Sequence, residues 1–403
     1  MNEIDELKAL GIQGEIRFMD HELIELISGL VICDLVDWTN KAVFFPADGK
    51  ISVTTPAVGP PNARAITPLD TPLRPTIEIR LSMLIEIYRD AFTFPLISKR
   101  IADETDSIQL LNESDERFRG KSFIFSSGIP FIDHRLICTS LQPHALAMAT
   151  LAEEKNDHRI GRNEVYFRFL MFELMLVWTY FHELSHILQQ HYLLNASKST
   201  AMTRLAEIDE MNDDAKDAPE IEAQAREILA DAEGIDLTLE YLGRSDRISH
   251  ETMYVLLCSI GCMFQRFYNQ YSENLDVADG KHPHPAIRDD LSHDFCIRWT
   301  VNHLTSGGDA AELDEVALPL IYCSTRSSLV TGLFRSHRVE RRNDIQLPSY
   351  MKLSSEEHLA NRKAYLSELR ASIDQQFPFI QKNHLRPDES FASVLSCLYP
   401  ALQ

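Results

Sequence analysis

The sequence predicts an α+β protein that is mostly α-helical. From about residue 161 onward, apolar residues recur at steps of three and four, the period of one helix face. Short β-prone runs and a proline-dense segment lie within the first 150 residues. We therefore predict a mixed α/β N-terminal region over 1–160, a helical core over 161–305 and a helical C-terminal region over 306–403.

The N-terminal region begins with a helical pattern over residues 3–36. Two β-prone runs, 41–46 and 50–55, are joined by a turn-forming sequence and predict a hairpin. Residues 56–75 are rich in proline, which fixes φ and lacks an N–H, so they predict an extended loop. The alternation of apolar and polar residues over 75–80 is typical of a half-buried strand.

The core begins with a long apolar helix that extends to about residue 194. An acidic segment over 207–222 follows, which we interpret as a solvated loop and helix start. The remaining helices are predicted by periodicity alone. Their bounds are 220–242, 253–271, 286–304, 313–334, 354–377 and 391–398.

Composition restricts the class of protein. The chain has 403 residues, 44% of them hydrophobic, and a net charge of −21. Such acidity argues against a general nucleic-acid binder, because 60 acidic residues outnumber 39 basic ones and leave no basic surface to neutralise phosphates in bulk. No apolar run reaches the ~20 residues of a membrane span, and residues 1–10 do not resemble a signal peptide. The seven cysteines are an odd number in mostly apolar surroundings, which predicts free thiols and a cytoplasmic location.

The long apolar helix carries the sequence His182-Glu183-Leu184-Ser185-His186. Residues four apart lie on one helix face, so the two imidazoles point to a common position. Two histidines at this spacing are suited to a tetrahedral zinc ion, and the intervening glutamate can reach a metal-bound water. The pentapeptide also occurs by chance, so it requires a third ligand and an orienting group elsewhere in the chain.

The next predicted helix supplies both. Glu227 and Asp231 lie four residues apart, and Gly234 follows shortly after. A carboxylate from a second helix is a usual third ligand for a zinc ion held by two histidines, so we predict Glu227 in that role. Asp231, one turn further, is placed to accept a hydrogen bond from the far nitrogen of a ligand histidine. The alternative is that both acids lie on an exposed helix face.

A third motif opens the helix that begins near residue 286. It contains His282, His284 and Arg288, separated by prolines that suit a first helical turn. Donor and cationic groups of these types stabilise the oxyanion of amide hydrolysis. Either His282 or His284 can fill the histidine role, and the alternative is that they cap and tether the loop.

In this order, the three motifs resemble those of gluzincin metallopeptidases, especially soluble relatives of the HtpX and CAAX prenyl protease type. The resemblance covers about residues 163–290. It implies a zincin-like helical catalytic core and zinc-dependent cleavage of a protein or peptide substrate by a metal-activated water. The roles that it implies are zinc ligand for His182, His186 and Glu227, general base for Glu183, and transition-state stabilisation for His282 and Arg288.

The resemblance also implies a place for the substrate. In related peptidases the substrate backbone pairs with an exposed strand edge beside the active-site helix, and residues 76–82 are the candidate here. A looser similarity to phage-exclusion peptidases of the Lit type concerns biological role only. The alternative function is a catalytically silent zincin-fold binding or regulatory module, with phage defence as one setting. The substrate and the oligomeric state stay open.

Overall fold

The structure is a computed structural model, and it describes residues 21–104, 116–125, 128–154, 160–196, 206–207, 221–267, 282–305, 310–343, 356–386 and 388–402. Within these ranges the chain is mostly α-helical with a small mixed sheet in the N-terminal region. The predicted fold class is confirmed at this level. Part of the first predicted helix, over 3–20, lies outside the described residues.

The elements are numbered in chain order. The helices are α1 (His21–Thr39), α2 (Leu81–Glu104), α3 (Gln142–Glu154), α4 (Arg162–Leu188), α5 (His191–Ala196), α6 (Ile221–Arg244), α7 (His250–Phe267), α8 (Pro285–Leu304), α9 (Ala310–Asn343), α10 (Glu356–Asn383) and α11 (Asp388–Leu398). The strands are β1 (Ser52–Thr54), β2 (Ala63–Thr67), β3 (Thr76–Ile79) and β4 (Ala206–Glu207).

Helix α4 is the centre of the fold. Every residue from Glu164 to Leu188 is buried. A helix that is apolar on all sides is stable only when neighbours cover each side. Here α1, α2, α3, α6, α7 and β2 all pack against α4. The motif at its C-terminal end is therefore held on a rigid element.

The sheet has the strand order β1-β3-β2-β4. β1 pairs parallel to β3, and β2 pairs antiparallel to both β3 and β4. The predicted hairpin is wrong, because Asn40–Phe44 is a π-helical turn and Phe45–Ala47 a 3-10 turn. The side chain of Asn40 exchanges hydrogen bonds with both backbone groups of Ile51, which fixes this turn against the strand that follows.

Two further predictions about the sheet are corrected. Residues 56–75 are not wholly an extended loop, because they contain β2. Residues 76–82 do not form a sheet edge, because β3 lies between β1 and β2 and α2 begins at Leu81. Alternation in a sequence reports which side chains are buried, and it carries no information about which strands pair with each side.

The C-terminal helices pack onto the core. Helix α9 contacts α7, α8 and α2, while α10 and α11 contact α6. The division into regions 1–160, 161–305 and 306–403 stays a prediction. Among the described residues, no helix combines the length and the apolar character needed to cross a bilayer.

Candidate metal centre

Helices α4 and α6 pack antiparallel, and this pairing assembles the centre. Just past the end of α4, the Gln189 side chain donates to the carbonyl of Leu229. Earlier in α4, the ring of Phe181 contacts that of Tyr241, further along α6. Successive positions on α6 therefore meet α4 in reverse order, which brings the two predicted motifs together.

Gly234 sets how closely the two helices approach. A Cβ atom added at this glycine would lie 3.0 Å from the backbone nitrogen of His182 and 3.1 Å from its Cα. Both neighbouring atoms belong to a helix backbone, which cannot move aside as a flexible side chain can. The absence of a side chain at Gly234 thus allows α6 to contact the helix of the histidines directly.

The three predicted ligands converge. The Nε2 atoms of His182 and His186 lie 3.2 Å apart. The Glu227 carboxylate spans them, with Oε2 3.5 Å from Nε2 of His182 and Oε1 3.5 Å from Nε2 of His186. One ligand-type atom from each residue lies within 4.8 Å of the others, and all three residues are buried. This group could hold a metal ion.

Asp231 occupies the position predicted for it. Its Oδ1 lies 2.9 Å from Nδ1 of His182, the ring nitrogen that faces away from Glu227. Arg288 donates to the same carboxylate through Nε at 2.8 Å and Nη2 at 2.7 Å. Burial raises the pKa of Asp231, but the charge of Arg288 and the contact with His182 outweigh it and hold the pKa below its ordinary value. Asp231 is therefore an anion between two donors.

Glu227 is surrounded by donor groups as well. Its Oε2 lies 3.3 Å from Nδ1 of His282 and 3.6 Å from Nη2 of Arg288. Burial alone raises the pKa of Glu227, but the imidazoles of His186 and His282 outweigh this effect and lower it well below the usual range. Glu227 is thus held as a carboxylate, the form that binds a cation.

The structure separates the two histidines of the third motif. His282 lies beside Glu227, as described above. His284 accepts a hydrogen bond from the backbone N–H of Ala286 through Nδ1 and caps helix α8. The structure thus places His282 in contact with Glu227 and gives His284 a capping role. Arg288 also reaches the centre, where two of its nitrogens donate to Asp231 and one of them lies 3.6 Å from Glu227.

Glu183 follows His182 on α4 and is fully buried. Trp178, one turn earlier, lies with its ring 5.2 Å from that of His182 and in edge contact with Phe264. This aromatic wall excludes water from one side of the first histidine. The candidate base thus lies out of contact with solvent, where electrostatic interactions are strong.

One residue of the centre was missed from the sequence. His191 is five positions beyond His186, and on a continuous helix this spacing would place it off the face that His182 and His186 share. It is in the core, fully buried, with its Nδ1 2.8 Å from Nδ1 of His186. Burial lowers the pKa of His191 well below its ordinary value, and His186 adds to the effect. The helix was predicted to reach residue 194, whereas α4 ends at Leu188.

Known proteins do not identify the chain. No protein-family model matches it, and no curated protein or solved structure matches it significantly. The functional interpretation therefore rests on the residues of the centre.

Proposed function

We propose that the protein is a zinc-dependent endopeptidase of the gluzincin type, with His182, His186 and Glu227 as zinc ligands. The observation that carries this proposal is the convergence of these three residues from α4 and α6. Asp231 on the far nitrogen of His182 adds the outer hydrogen bond that is typical of histidine ligands in metal sites. The buried position of all four residues favours a built site over a surface cluster.

The spacing of the donor atoms fits a tetrahedral ion. Two ligand atoms at 2.0–2.1 Å from such an ion stand roughly 3.3–3.4 Å apart. The two Nε2 atoms lie 3.2 Å apart, and each lies 3.5 Å from a different oxygen of the Glu227 carboxylate, so these separations are close to this value. Neighbouring ligands of octahedral magnesium would stand roughly 2.9 Å apart, and magnesium prefers oxygen donors. Two imidazoles and one carboxylate are a donor set that zinc accepts.

The charge of the centre also favours a divalent cation. Glu183, Glu227 and Asp231 are buried carboxylates, and Arg288 is the cation in contact with two of them. With ionised carboxylates and neutral imidazoles, this set carries two more negative charges than positive ones. Uncompensated buried charge is costly, and an ion of charge +2 would balance it.

The proposed chemistry assigns one role to each side chain. When bound, zinc would supply Lewis-acid activation of a water molecule and polarisation of the scissile carbonyl. Glu183 accepts the proton of the attacking water and passes it to the leaving amine. His282 donates a hydrogen bond toward the developing oxyanion. Arg288 contributes its charge to the same region while it holds Asp231 against His182.

The candidate for substrate pairing moves from β3 to β2. Arg80 donates its N–H to the carbonyl of Asn62, so alternate residues of β2 from Asn62 onward face β3. The backbone groups of Ala63 and Ala65 therefore point to the opposite side, where β4 pairs only at residues 66–67 among the described residues. β2 also packs against α4. Both alanines are buried, so we propose that an extended peptide adds to β2 along Ala63–Ala65 when the residues that cover them move.

Zinc content and hydrolysis together test this function. We expect the purified parent protein to hold one zinc ion per chain and to cleave peptides from a denatured proteome. Glu183→Gln should retain the zinc and lose cleavage, because the amide cannot accept the proton. His182→Ala and Glu227→Ala should lose zinc as well. Cleavage that persists in Glu183→Gln contradicts the mechanism, and undiminished zinc in the ligand variants contradicts the site.

One observation favours a second candidate, a silent binding or regulatory module. The side chains of the centre are all nearly inaccessible, with His182 at 1% and His282 at 6% exposure. A peptide can reach them only when covering residues move. A parent protein that holds zinc but cleaves no peptide under the conditions above would favour this module over the peptidase.

A further inference from the structure

We propose that His191 is a positioning residue of the metal centre, which orients His186 through a hydrogen bond between the two Nδ1 atoms. The inference rests on the proposed metal-binding function and adds a residue to it. His182 has Asp231 on its far nitrogen. His186 has His191 on its far nitrogen, and metal-bound histidines almost always have an outer contact of this kind.

The geometry fixes the direction of this hydrogen bond. Nε2 of His186 faces His182 and Glu227, so this nitrogen must present its lone pair to a metal. The proton of a neutral His186 ring is then on Nδ1, which lies 2.8 Å from Nδ1 of His191. His191 must therefore accept at Nδ1 and carry its own proton on Nε2. One tautomer of each ring is thereby selected.

The chain reverses sharply to bring His191 to this position. Gln190 has a φ of 51°, in the left-handed region that residues other than glycine seldom adopt. Its side chain donates to the carbonyl of Asn383, and the backbone N–H of Leu385 donates to the carbonyl of Leu188 at 3.0 Å. The turn that follows α10 thus holds the turn that follows α4. These contacts connect the C-terminal region to the second ligand.

The two histidine ligands consequently differ in their outer partners. His182 donates to a carboxylate that Arg288 also binds, whereas His186 donates to a neutral imidazole. A carboxylate increases the basicity of its histidine more than a neutral acceptor does. We infer that His191 serves mainly to fix the ring plane of His186.

Two substitutions separate orientation from packing. His191→Phe keeps a buried ring of similar size but has no acceptor. His191→Asn places an amide oxygen close to the position of Nδ1 and keeps the acceptor. Loss of an outer partner lowers metal affinity about 10- to 100-fold. We expect this loss in His191→Phe and an affinity within about 3-fold of the parent in His191→Asn, measured by competition with a zinc chelator.

The matched control is His293→Phe. His293 is also buried, but its contacts are with Ser324 and Asp289, between α8 and α9. Both phenylalanine variants lose a buried imidazole, so both can lower the thermal midpoint of the metal-free protein. Only His191→Phe should also reduce the upward shift of the midpoint that zinc causes. Equal zinc affinity in His191→Phe and the parent would overturn the inference, whereas a parent that binds no zinc would overturn the proposed function instead.

A measurement on the unmodified protein covers the case in which His191→Phe does not fold. Long-range ¹H–¹⁵N correlation spectra of the zinc-loaded protein, labelled at histidine nitrogens, report which ring nitrogen carries the proton. We expect the proton on Nδ1 in His186 and on Nε2 in His191. A proton on Nδ1 of His191 would contradict the proposed hydrogen bond.

Discussion

The contact between Asp231 and Arg288 provides the sharpest test of how the centre is held. We consider the substitution Asp231→Leu, which is close in size and has no acceptor. It removes the carboxylate that His182 contacts at 2.9 Å and that Arg288 binds at 2.7 and 2.8 Å. Arg288 is 2% exposed, so it stays buried after its main partner has gone. Stability and metal binding should both suffer, for different reasons.

The loss of stability follows from the buried charge. Removal of one partner from a buried ion pair costs about 3–5 kcal/mol, because the other charge is left uncompensated. Arg288 keeps a second carboxylate, Glu227, at 3.6 Å. We therefore expect the lower end of that range, about 3 kcal/mol. The loss of zinc affinity follows from the freed ring of His182 and should be about 10- to 100-fold.

A double variant distinguishes the two effects. In Asp231→Leu with Arg288→Met, both charges are absent, and replacement of a buried ion pair by apolar residues is often neutral or stabilising. We expect the double variant to be more stable than Asp231→Leu by about 2 kcal/mol or more, although it carries one more substitution. The stability effects of substitutions at residues in contact do not add. Its zinc affinity should stay low, since His182 still has no acceptor.

The assays are urea unfolding of metal-free protein and competition with a zinc chelator. Unfolding of the parent, both single variants and the double variant completes a double-mutant cycle. Additive losses would refute the interpretation of Asp231 and Arg288 as a desolvated ion pair. Unchanged zinc affinity in Asp231→Leu would refute the orienting role of Asp231, even if the cycle behaves as expected.

Three further predictions concern other parts of the chain. Gly234→Ala should lower the free energy of unfolding, measured by urea denaturation, by up to about 2 kcal/mol. The new Cβ clashes with the backbone of His182 at a cost of about 1–3 kcal/mol, against a helix-propensity gain of about 1 kcal/mol. A stabilised variant would contradict this expectation. Burial raises the pKa of Glu233, but His384 outweighs this effect and lowers the pKa, so ionised Glu233 stabilises the fold above its unfolded pKa of ~4.3 and loses this contribution as the pH falls. The free energy of unfolding of Glu233→Gln should therefore decline less steeply in acid than that of the parent. An unchanged slope would refute the argument. Cys33 is exposed and the other six cysteines are buried, so brief alkylation of the native protein should modify Cys33 first. Mass spectrometry of the digested protein locates the modified thiols. Modification of a buried thiol before Cys33 would be inconsistent with the fold.

Local patterns predicted the helices and the convergence of the ligands. His182 and His186 share a helix face because of their spacing alone, and the apolar character of α4 on all sides predicts its central position. Glu227 is predictable because a third ligand of this type comes from a second helix, and Glu227 lies on the next helix with Asp231 one turn further. Hydrophobic periodicity and ligand spacing are properties of neighbouring residues, so they are visible before the fold is known.

Tertiary contacts determined what the sequence did not predict. β2 lies in a proline-dense segment, and its pairing with β3 depends on residues ten or more positions away. His282 and His284 are alike in sequence, and only the start of α8 makes His284 a cap. His191 reaches His186 because the helix ends and Gln190 adopts a left-handed conformation held by a distant turn. Periodicity cannot predict a contact that depends on a helix ending.

The buried polar groups themselves favour a functional origin for the centre. Glu183, Glu227, Asp231 and Arg288 are all buried, on helices that pack closely. Well-packed apolar residues of similar volume are often at least as stable as buried ion pairs. Fold stability therefore gives little reason to keep this set of charges. The proposed zinc-dependent hydrolysis gives a reason, because it requires a carboxylate ligand, an oriented histidine and a base at the same position.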